Sequence, residues 1–419
     1  MKMFLELQIQ RLKENFFIAE CVLSVLYLIG TCLRLINNKQ KVFDFYAQVH
    51  RTTRSKALKG LVEPFIKNNL ALCWVNNTPP DLESAKKLIG FGKIQVFGAP
   101  SDCNKGVIFV KFSETFKILA TCFNLNELMK QYYIVLEPSW SGYCDRDILF
   151  FTQFSDPVFI LAAEQDDYRF LQSLNSNVVP VDRGPCDWVN PSLSAPYVDE
   201  PKTYDIVMNS NWGKEKRHYV FFEALKKIKK PLKVALIGMP WRGRSIDDVK
   251  QLAAYYNLQH QLTYFECIPF EEVMKINAQS KIAVLMSLKE GSNRAIAEAL
   301  FCNTPGIVLT THVGGINKNI TPETGVHSNE TDLAQNIVQL LNNSEKFKTR
   351  DWALANISCD VSTRMVEELI QKEAQKESAS ANIKIAVRTN APEQCVANIQ
   401  DRKSLRGYNE SLASYFLRL

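Results

Sequence analysis

What the chain lacks narrows it first. Its eleven cysteines, from Cys21 to Cys395, stand singly, with no CxxC pair and no Cys/His cluster. A structural zinc site and a disulfide scaffold are therefore unsupported, and the pattern suits a reducing compartment. Gly and Pro number 17 each in 419 residues, too few for collagen-like or low-complexity classes. Neither sign of charge dominates, since 50 Lys+Arg stand against 44 Asp+Glu for a net +6. That excess is compatible with an acidic ligand or an anionic membrane surface. It is too small to argue for nucleic acid, and no basic patch interleaved with aromatics occurs. The five histidines (50, 218, 260, 312 and 327) lie in dissimilar contexts, so nothing supports a Ser-His-Asp triad. What is present, 46% hydrophobic and 22% charged residues, is ordinary globular composition. At roughly 100–200 residues per domain, the length predicts two or three domains.

One apolar run needs its own account. Phe16 to Leu33 is apolar except for Glu20. Its cleanest part, 21–33, is shorter than the about 20 residues a bilayer requires, and extension to Ile36 admits Arg34. Three readings stay open: a single anchor with Arg34, Lys39 and Lys41 on the cytoplasmic side, a helix lying in the interface, or a buried helix. A cleaved signal peptide is disfavoured, because 1–14 carries both charge signs and no small-residue cleavage site follows cleanly. Asn-x-Ser/Thr triplets at Asn76, Asn319 and Asn356 carry no weight without a secretory context.

The remainder alternates. In the first half, Leu70–Val75, Lys93–Phe97, Gly106–Phe112, Tyr133–Leu136, Ile148–Thr152 and Pro157–Ala162 read as strands. A Pro/Asp/Gly-rich segment from Val179 to Pro201 reads as a connection. From Tyr204 the pattern becomes strictly βα: strands at Tyr204–Met208, Leu232–Ile237, Leu262–Glu266, Lys281–Met286 and Gly306–Leu309. Helices follow them at Glu215–Lys229, Ser245–Tyr256, Phe270–Ala278, Asn293–Cys302 and Thr331–Leu341. This alternation predicts an α/β fold with a parallel sheet covered on both faces. Ligands of such sheets bind beyond the carboxyl ends of the strands. The expected organisation is an N-terminal apolar, membrane-associated or buried helix (1–40), a first α/β domain (41–200), a second α/β domain (201–375) and a tail (376–419).

The chemistry concentrates in Ser287-Leu-Lys-Glu290-Gly291-Ser292-Asn293 and the helix that continues through Glu298. Glu290 ends a loop after a strand, and Gly291 to Asn293 enter the helix. A helix start offers unpaired N–H groups and a positive dipole end. Gly291 lets a ligand approach the backbone. The two carboxylates accept hydroxyl protons bidentately. Upstream, Lys216 and its basic neighbours open a helix after a strand, where an anion would offset the macrodipole. Gly238 ends the next strand.

These segments resemble the Glu-x7-Glu motif and its companions in retaining glycosyltransferases of the GT-B fold, in the family 4, group 1 type. Asn303-Thr-Pro-Gly-Ile-Val308, Gly314-Gly315 and Thr324-Gly325 match as well, and the resemblance covers about residues 204–345. It implies two Rossmann-like domains with parallel sheets facing across a cleft, 41–200 acceptor-side and 201–375 binding the nucleotide-sugar donor. It implies that Glu290 meets donor-sugar hydroxyls, that the backbone of Gly291, Ser292 and Asn293 meets sugar and phosphate, and that Glu298 holds the ribose. Lys216 would neutralise the leaving diphosphate, and Gly238 would lie near the nucleotide, with Trp241 beside it read as packing. Lys216 and Glu290 are the catalytic candidates. The family has an Arg near Asn211, a departure that Lys214, Arg217, Arg242 or Arg244 would have to offset. The implied reaction is transfer of a sugar from a nucleotide-diphosphate sugar to a glycan or lipid-linked hydroxyl, with retention. No cofactor or metal is called for, and the leaving phosphate assists deprotonation of the acceptor.

Outside the motif, Glu137 and Trp140 in Glu137-Pro-Ser-Trp140-Ser-Gly142 are acceptor-side candidates, with His50 and Asp187-Trp188 behind them. Asp145-Arg-Asp147 looks like a metal motif but reads as a turn. The expected location is the cytoplasm, at the inner face of a membrane if the N-terminal segment touches one. The competing functions are a non-catalytic carbohydrate- or nucleotide-binding protein on a GT-B scaffold and, further behind, a nucleotide-sugar epimerase.

Overall fold

The computed structural model describes residues 2–73, 81–197, 199–390 and 394–417. Asn76 lies outside them. The chain divides into two compact units, Met1–Asp182 with Met365–Val387 and Val396–Leu419, and Arg183–Arg364 with Arg388–Cys395. The apolar N-terminal helices and most of the segment expected as a tail are thus parts of the first unit.

The first unit holds a five-stranded sheet in chain order: β1 (Ile94–Gly98), β2 (Gly106–Lys111), β3 (Tyr132–Glu137), β4 (Val158–Leu161) and β5 (Val178–Val181). Only β1 runs antiparallel to its neighbour. Every residue of β2, β3 and β4 is buried, as expected of parallel strands covered on both faces. Two expected strands are not strands. Ile148–Thr152 is a short helix, Arg146–Leu149, running into a 3-10 turn, Phe150–Gln153. Asp145 caps it, accepting the Asp147 N–H at 3.0 Å. A buried apolar run of this length has the same appearance in either conformation. Leu70–Cys73 is likewise a 3-10 turn, and residues 74 and 75 are outside the described set. The expected connection begins with β5, whose pairing with β4 spans Val178 to Val181.

The second unit holds a six-stranded, all-parallel sheet: β6 (Tyr204–Asn209), β7 (Lys233–Gly238), β8 (Gln261–Glu266), β9 (Ser280–Leu285), β10 (Gly306–Leu309) and β11 (Gly325–Ser328). Its order is β11-β10-β9-β6-β7-β8. The chain builds outward from β6 to β8, then crosses back to lay β9 on the other side of β6. Phe301, Leu300, Val207, Ala235, Leu285 and Val308 belong to one buried cluster between sheet and helices. Burying a Leu, Val or Phe side chain contributes about 1.5–3 kcal/mol. The sixth strand, β11, was not anticipated. Its first residue must be glycine, because a Cβ on Gly325 would fall 2.0 Å from the Gly306 carbonyl oxygen.

Candidate active site

The switch point of the second sheet lies between β6 and β9, where connections leave in opposite directions. Loops from the carboxyl ends of two such strands diverge and leave a crevice. Lys216 follows β6 and Glu290 follows β9, and their side chains meet there, Nζ to Oε1 at 2.7 Å, both largely buried. Ser287 Oγ donates to the same oxygen at 2.7 Å, and Asn293 Nδ2 donates to Oε2 at 2.9 Å. Burial alone would raise the Glu290 pKa. The Lys216 charge and the hydrogen bonds from Lys216, Asn293 and Ser287 outweigh it and hold the carboxyl below its ordinary value. Glu290 is therefore an ionised, fully oriented acceptor.

Asn293 has a second task. Its Oδ1 accepts the Ile296 N–H at 2.9 Å and caps the helix Arg294–Leu300, an arrangement Asn favours because its side chain replaces the missing turn. The Glu290 loop is tied to the chain after β10: Glu290 N–H donates to Val313 O at 2.9 Å, and Gly315 N–H donates to Gly291 O at 2.8 Å. Ser292 turns its hydroxyl to Cys186, accepting that residue's N–H at 3.3 Å. Glu298 lies inside the helix at 3% exposure, and its Oε1 has no hydrogen-bond partner. The nearest cation group is Arg294 Nε, 3.8 Å away. Burial raises its pKa, and Arg294 only partly offsets this. The two glutamates of one motif are thus pushed in opposite directions.

The loop after β6 explains how Lys216 is aimed. Arg217 adopts a left-handed conformation, φ +55°, between the 3-10 turn Lys214–Lys216 and the helix His218–Lys227. Such a conformation costs about 1 kcal/mol or more in a non-glycine residue. Its guanidinium is buried and holds it, donating to Glu330 at 2.6 Å, Met286 O at 3.2 Å and Tyr219 Oη at 3.2 Å. Arg217 is therefore an anchor and not a free replacement cation. Asn211 Oδ1 accepts the Gly213 N–H at 2.9 Å and shapes the turn. Arg244 donates from Nε to Trp212 O at 3.1 Å. Gly238 has a packing reason, since a Cβ there would lie 2.5 Å from Ser210 O and 2.7 Å from the Trp212 ring. Trp241, expected to pack, is 41% exposed with the Arg242 guanidinium 5.9 Å from its ring centre.

His312 carried no signal in the sequence. It is buried, its Nδ1 lies 2.7 Å from Ser287 O, and its Nε2 has no partner. Burial lowers its pKa, so the ring is neutral. Asp187, fully buried, accepts from Lys318 at 3.0 Å, Asn319 at 2.9 Å and the Gly184 N–H at 2.9 Å. It belongs to the second unit and supports Cys186 beneath Ser292; its neighbour Trp188 is buried with the Arg388 guanidinium 4.4 Å from its ring centre.

In the first unit, Glu137 ends β3 at 1% exposure, with Lys111 Nζ at 3.9 Å, whereas Trp140 is half exposed. The structure does not give these two one environment. His50 is buried against Glu63 at 3.1 Å. Asp145 pairs with Arg51 at 2.5 Å besides capping its helix, which accounts for the Asp145-Arg-Asp147 triplet as a turn.

Residues 193–351 match the family model described as Glycosyl transferases group 1. No curated protein sequence matches the chain. Among solved structures, Anabaena HepE is similar at 10% identity with a TM-score of 0.51, over 80% of this chain and 96% of that one. Sucrose-phosphate synthase from Thermosynechococcus elongatus is similar at 16% identity, TM-score 0.47, over 65% of this chain and 74% of that one. S. aureus TarM follows at 15% identity, TM-score 0.49, over 73% of this chain and 59% of that one. The fold is GT-B, with two Rossmann-like domains. The match to group 1 glycosyltransferases lies within the second unit.

Proposed function

We propose that the chain transfers a sugar from a nucleotide-diphosphate sugar to a hydroxyl of a glycan or lipid-linked acceptor, with retention and without a metal. The observation that carries this is the Lys216–Glu290 pair at the sheet's switch point. A cation and an oriented carboxylate side by side suit a ligand that presents both phosphate and hydroxyls. Lys216 would turn part of its charge to the diphosphate as negative charge grows on the leaving group. Glu290, still held by Ser287 and Asn293, would accept from the sugar hydroxyls. Glu298, buried with an open acceptor, suits a ribose. HepE, whose structure was determined with UDP and glucose, makes UDP the first nucleotide to try. The protein's contribution to rate would be positioning and fixed charge. The work would take place in the cytoplasm at the inner face of a membrane, which the N-terminal helices would contact.

The test is a thermal-shift panel with UDP, GDP, ADP, CMP and dTDP on the wild type, Lys216→Ala and Glu298→Ala. A ligand at about 100 times its Kd stabilises by roughly 2.7 kcal/mol. A shift with one nucleotide, lost in both variants, is expected. No shift with any of them would favour the non-catalytic reading. Anomeric analysis of the product then tests retention.

A further inference from the structure

The helices Lys2–Glu14 and Phe16–Leu35 present a surface unlike the rest of the first unit. One side of the second helix is committed to the fold. Gly30 lies against Tyr46, where a Cβ would meet the ring at 2.6 Å. Tyr27 stacks on Tyr46 with centroids 5.6 Å apart, and the Thr31 and Tyr46 hydroxyls are 3.0 Å apart. Glu20 accepts from the Thr53 hydroxyl and from the Arg54 N–H. The Arg34 guanidinium lies 5.6 Å from the Phe65 ring centre. These contacts run from Glu20 to Arg34, so the helix is docked along most of its length against Lys39–Thr52 and its neighbours.

The opposite side is bare. Ile18, Val22, Val25, Leu28 and Leu35 are each 40% exposed or more, at the three-, four- and seven-residue spacings of one helical face. Leu5, Ile9 and Leu12 lead into Phe16 at the same spacing, all strongly exposed. Contiguous apolar surface of this kind marks an interaction site. The charge around it names the partner. Residues 1–41 carry six Lys/Arg against three Glu, and one of those acids, Glu20, is turned into the fold. Lys13, Lys39 and Lys41 flank the apolar strip.

By length and composition Phe16–Leu35 could cross a membrane. Doing so would strip Glu20 and Arg34 of their partners and leave them in hydrocarbon. We propose instead that the two helices lie flat in the interface of an anionic bilayer, docking the first unit on lipid without crossing it. The proposal rests on the membrane contact named above and gives it a geometry and a lipid charge.

The test uses the full chain with vesicles of neutral phosphatidylcholine, or of phosphatidylcholine with one-third phosphatidylglycerol. Binding to the anionic vesicles should be tighter by roughly tenfold or more, since each nearby Lys or Arg adds severalfold. Alkaline carbonate should release the bound protein. Val25→Glu/Leu28→Glu should abolish binding with the far-UV circular dichroism unchanged, and Lys39→Glu/Lys41→Glu should reduce it to the neutral-lipid level. A carbonate-resistant pellet would overturn the proposal in favour of a spanning helix. Equal binding to both vesicles would overturn the anionic surface. A dimer that dissolves on Val25→Glu/Leu28→Glu, without vesicle binding, would mean that a second copy covers the face. The nucleotide shift, measured in parallel, keeps the two readings separate: vesicle binding without any nucleotide shift would sink sugar transfer alone.

Discussion

Each sheet ends in a buried carboxylate, and the two ends are built differently. Glu137 is the last residue of β3, placed by strand pairing directly beside Lys111 of β2. Both side chains are buried, 3.9 Å apart. Glu290 is in a loop, and its partners come from two strand-to-helix loops, Lys216 from one and Ser287 and Asn293 from its own. A charge pair generated by sheet register is a packing solution. A charge pair generated by loops at a switch point can be shared with a ligand, because loops can shift while a ladder cannot. The difference separates the proposed donor-side residues from the acceptor-side candidates.

The strongest way to break this distinction is to remove one cation from each pair. Lys216→Ala leaves Glu290 buried without its counter-charge and should cost about 3–5 kcal/mol in urea unfolding, with sugar transfer lowered about 100-fold or more. Lys216→Met/Glu290→Gln should recover most of the stability and none of the transfer. Lys111→Ala should also destabilise but leave nucleotide binding intact; loss of binding there would erase the distinction. The pH dependence follows from the lowered Glu290 pKa. Its stabilisation is complete above the unfolded value near 4.5 and is lost as pH falls through the lower folded value. Unfolding of Glu290→Gln followed below pH 4.5 should lack that component.

Glu298 gives the next effect, with opposite sign. Its folded pKa is raised, so ionisation above the unfolded value opposes folding. Glu298→Gln should melt higher than the wild type at pH 8, with the gap closing at pH 4. Nucleotide affinity should fall by about 10- to 100-fold, the worth of a charged hydrogen bond of ~1.5–3 kcal/mol. A variant both more stable and a weaker binder is what a site residue predicts. Loss of stability at pH 8 would make Glu298 a structural group.

Much of the second unit was legible because buried parallel strands read as uninterrupted apolar runs. Phe270–Ala278 and Gly306–Leu309 fall at their expected bounds. β11 was not legible, since Gly-Val-His-Ser has one apolar residue and owes its place to β10. Within the site, Glu290, Asn293 and Glu298 are close in sequence and could be read together. Arg217 with Glu330, His312 with Ser287 and Asp187 with Lys318 are separated by 25 residues or more. No local pattern announces such pairs, and they are the contacts that aim the loops. Arg217 illustrates the cost: by type and position it passed for a spare phosphate cation, and only its burial shows otherwise.

A separate effect should appear in acid. Burial holds the His218 pKa down to about 3, so the folded chain keeps this ring neutral while the unfolded chain protonates it below about 6.5. Stability should fall from that point downward, by about 1.4 kcal/mol per pH unit for this group. In His218→Gln that part of the slope between pH 6 and 4 should vanish; an unchanged slope would assign it elsewhere.

The smallest expected change in stability carries the most information about the first unit. Trp140 is half exposed in the loop beyond Glu137, and Ser139, beside it, accepts the Ser113 N–H at 3.2 Å. The loop is pinned while the indole remains open to solvent. Trp140→Ala should therefore leave stability within about 0.5 kcal/mol and leave nucleotide binding unchanged. If the ring stacks on an acceptor sugar, KM for the acceptor should rise while KM for the donor holds. Equal effects on both would make Trp140 part of general folding, and no effect on either would return the acceptor site to other residues. Glu137→Gln, by contrast, disturbs a buried pair and would lower stability whatever its role. The exposed residue is the better probe of acceptor recognition because its removal costs the fold so little.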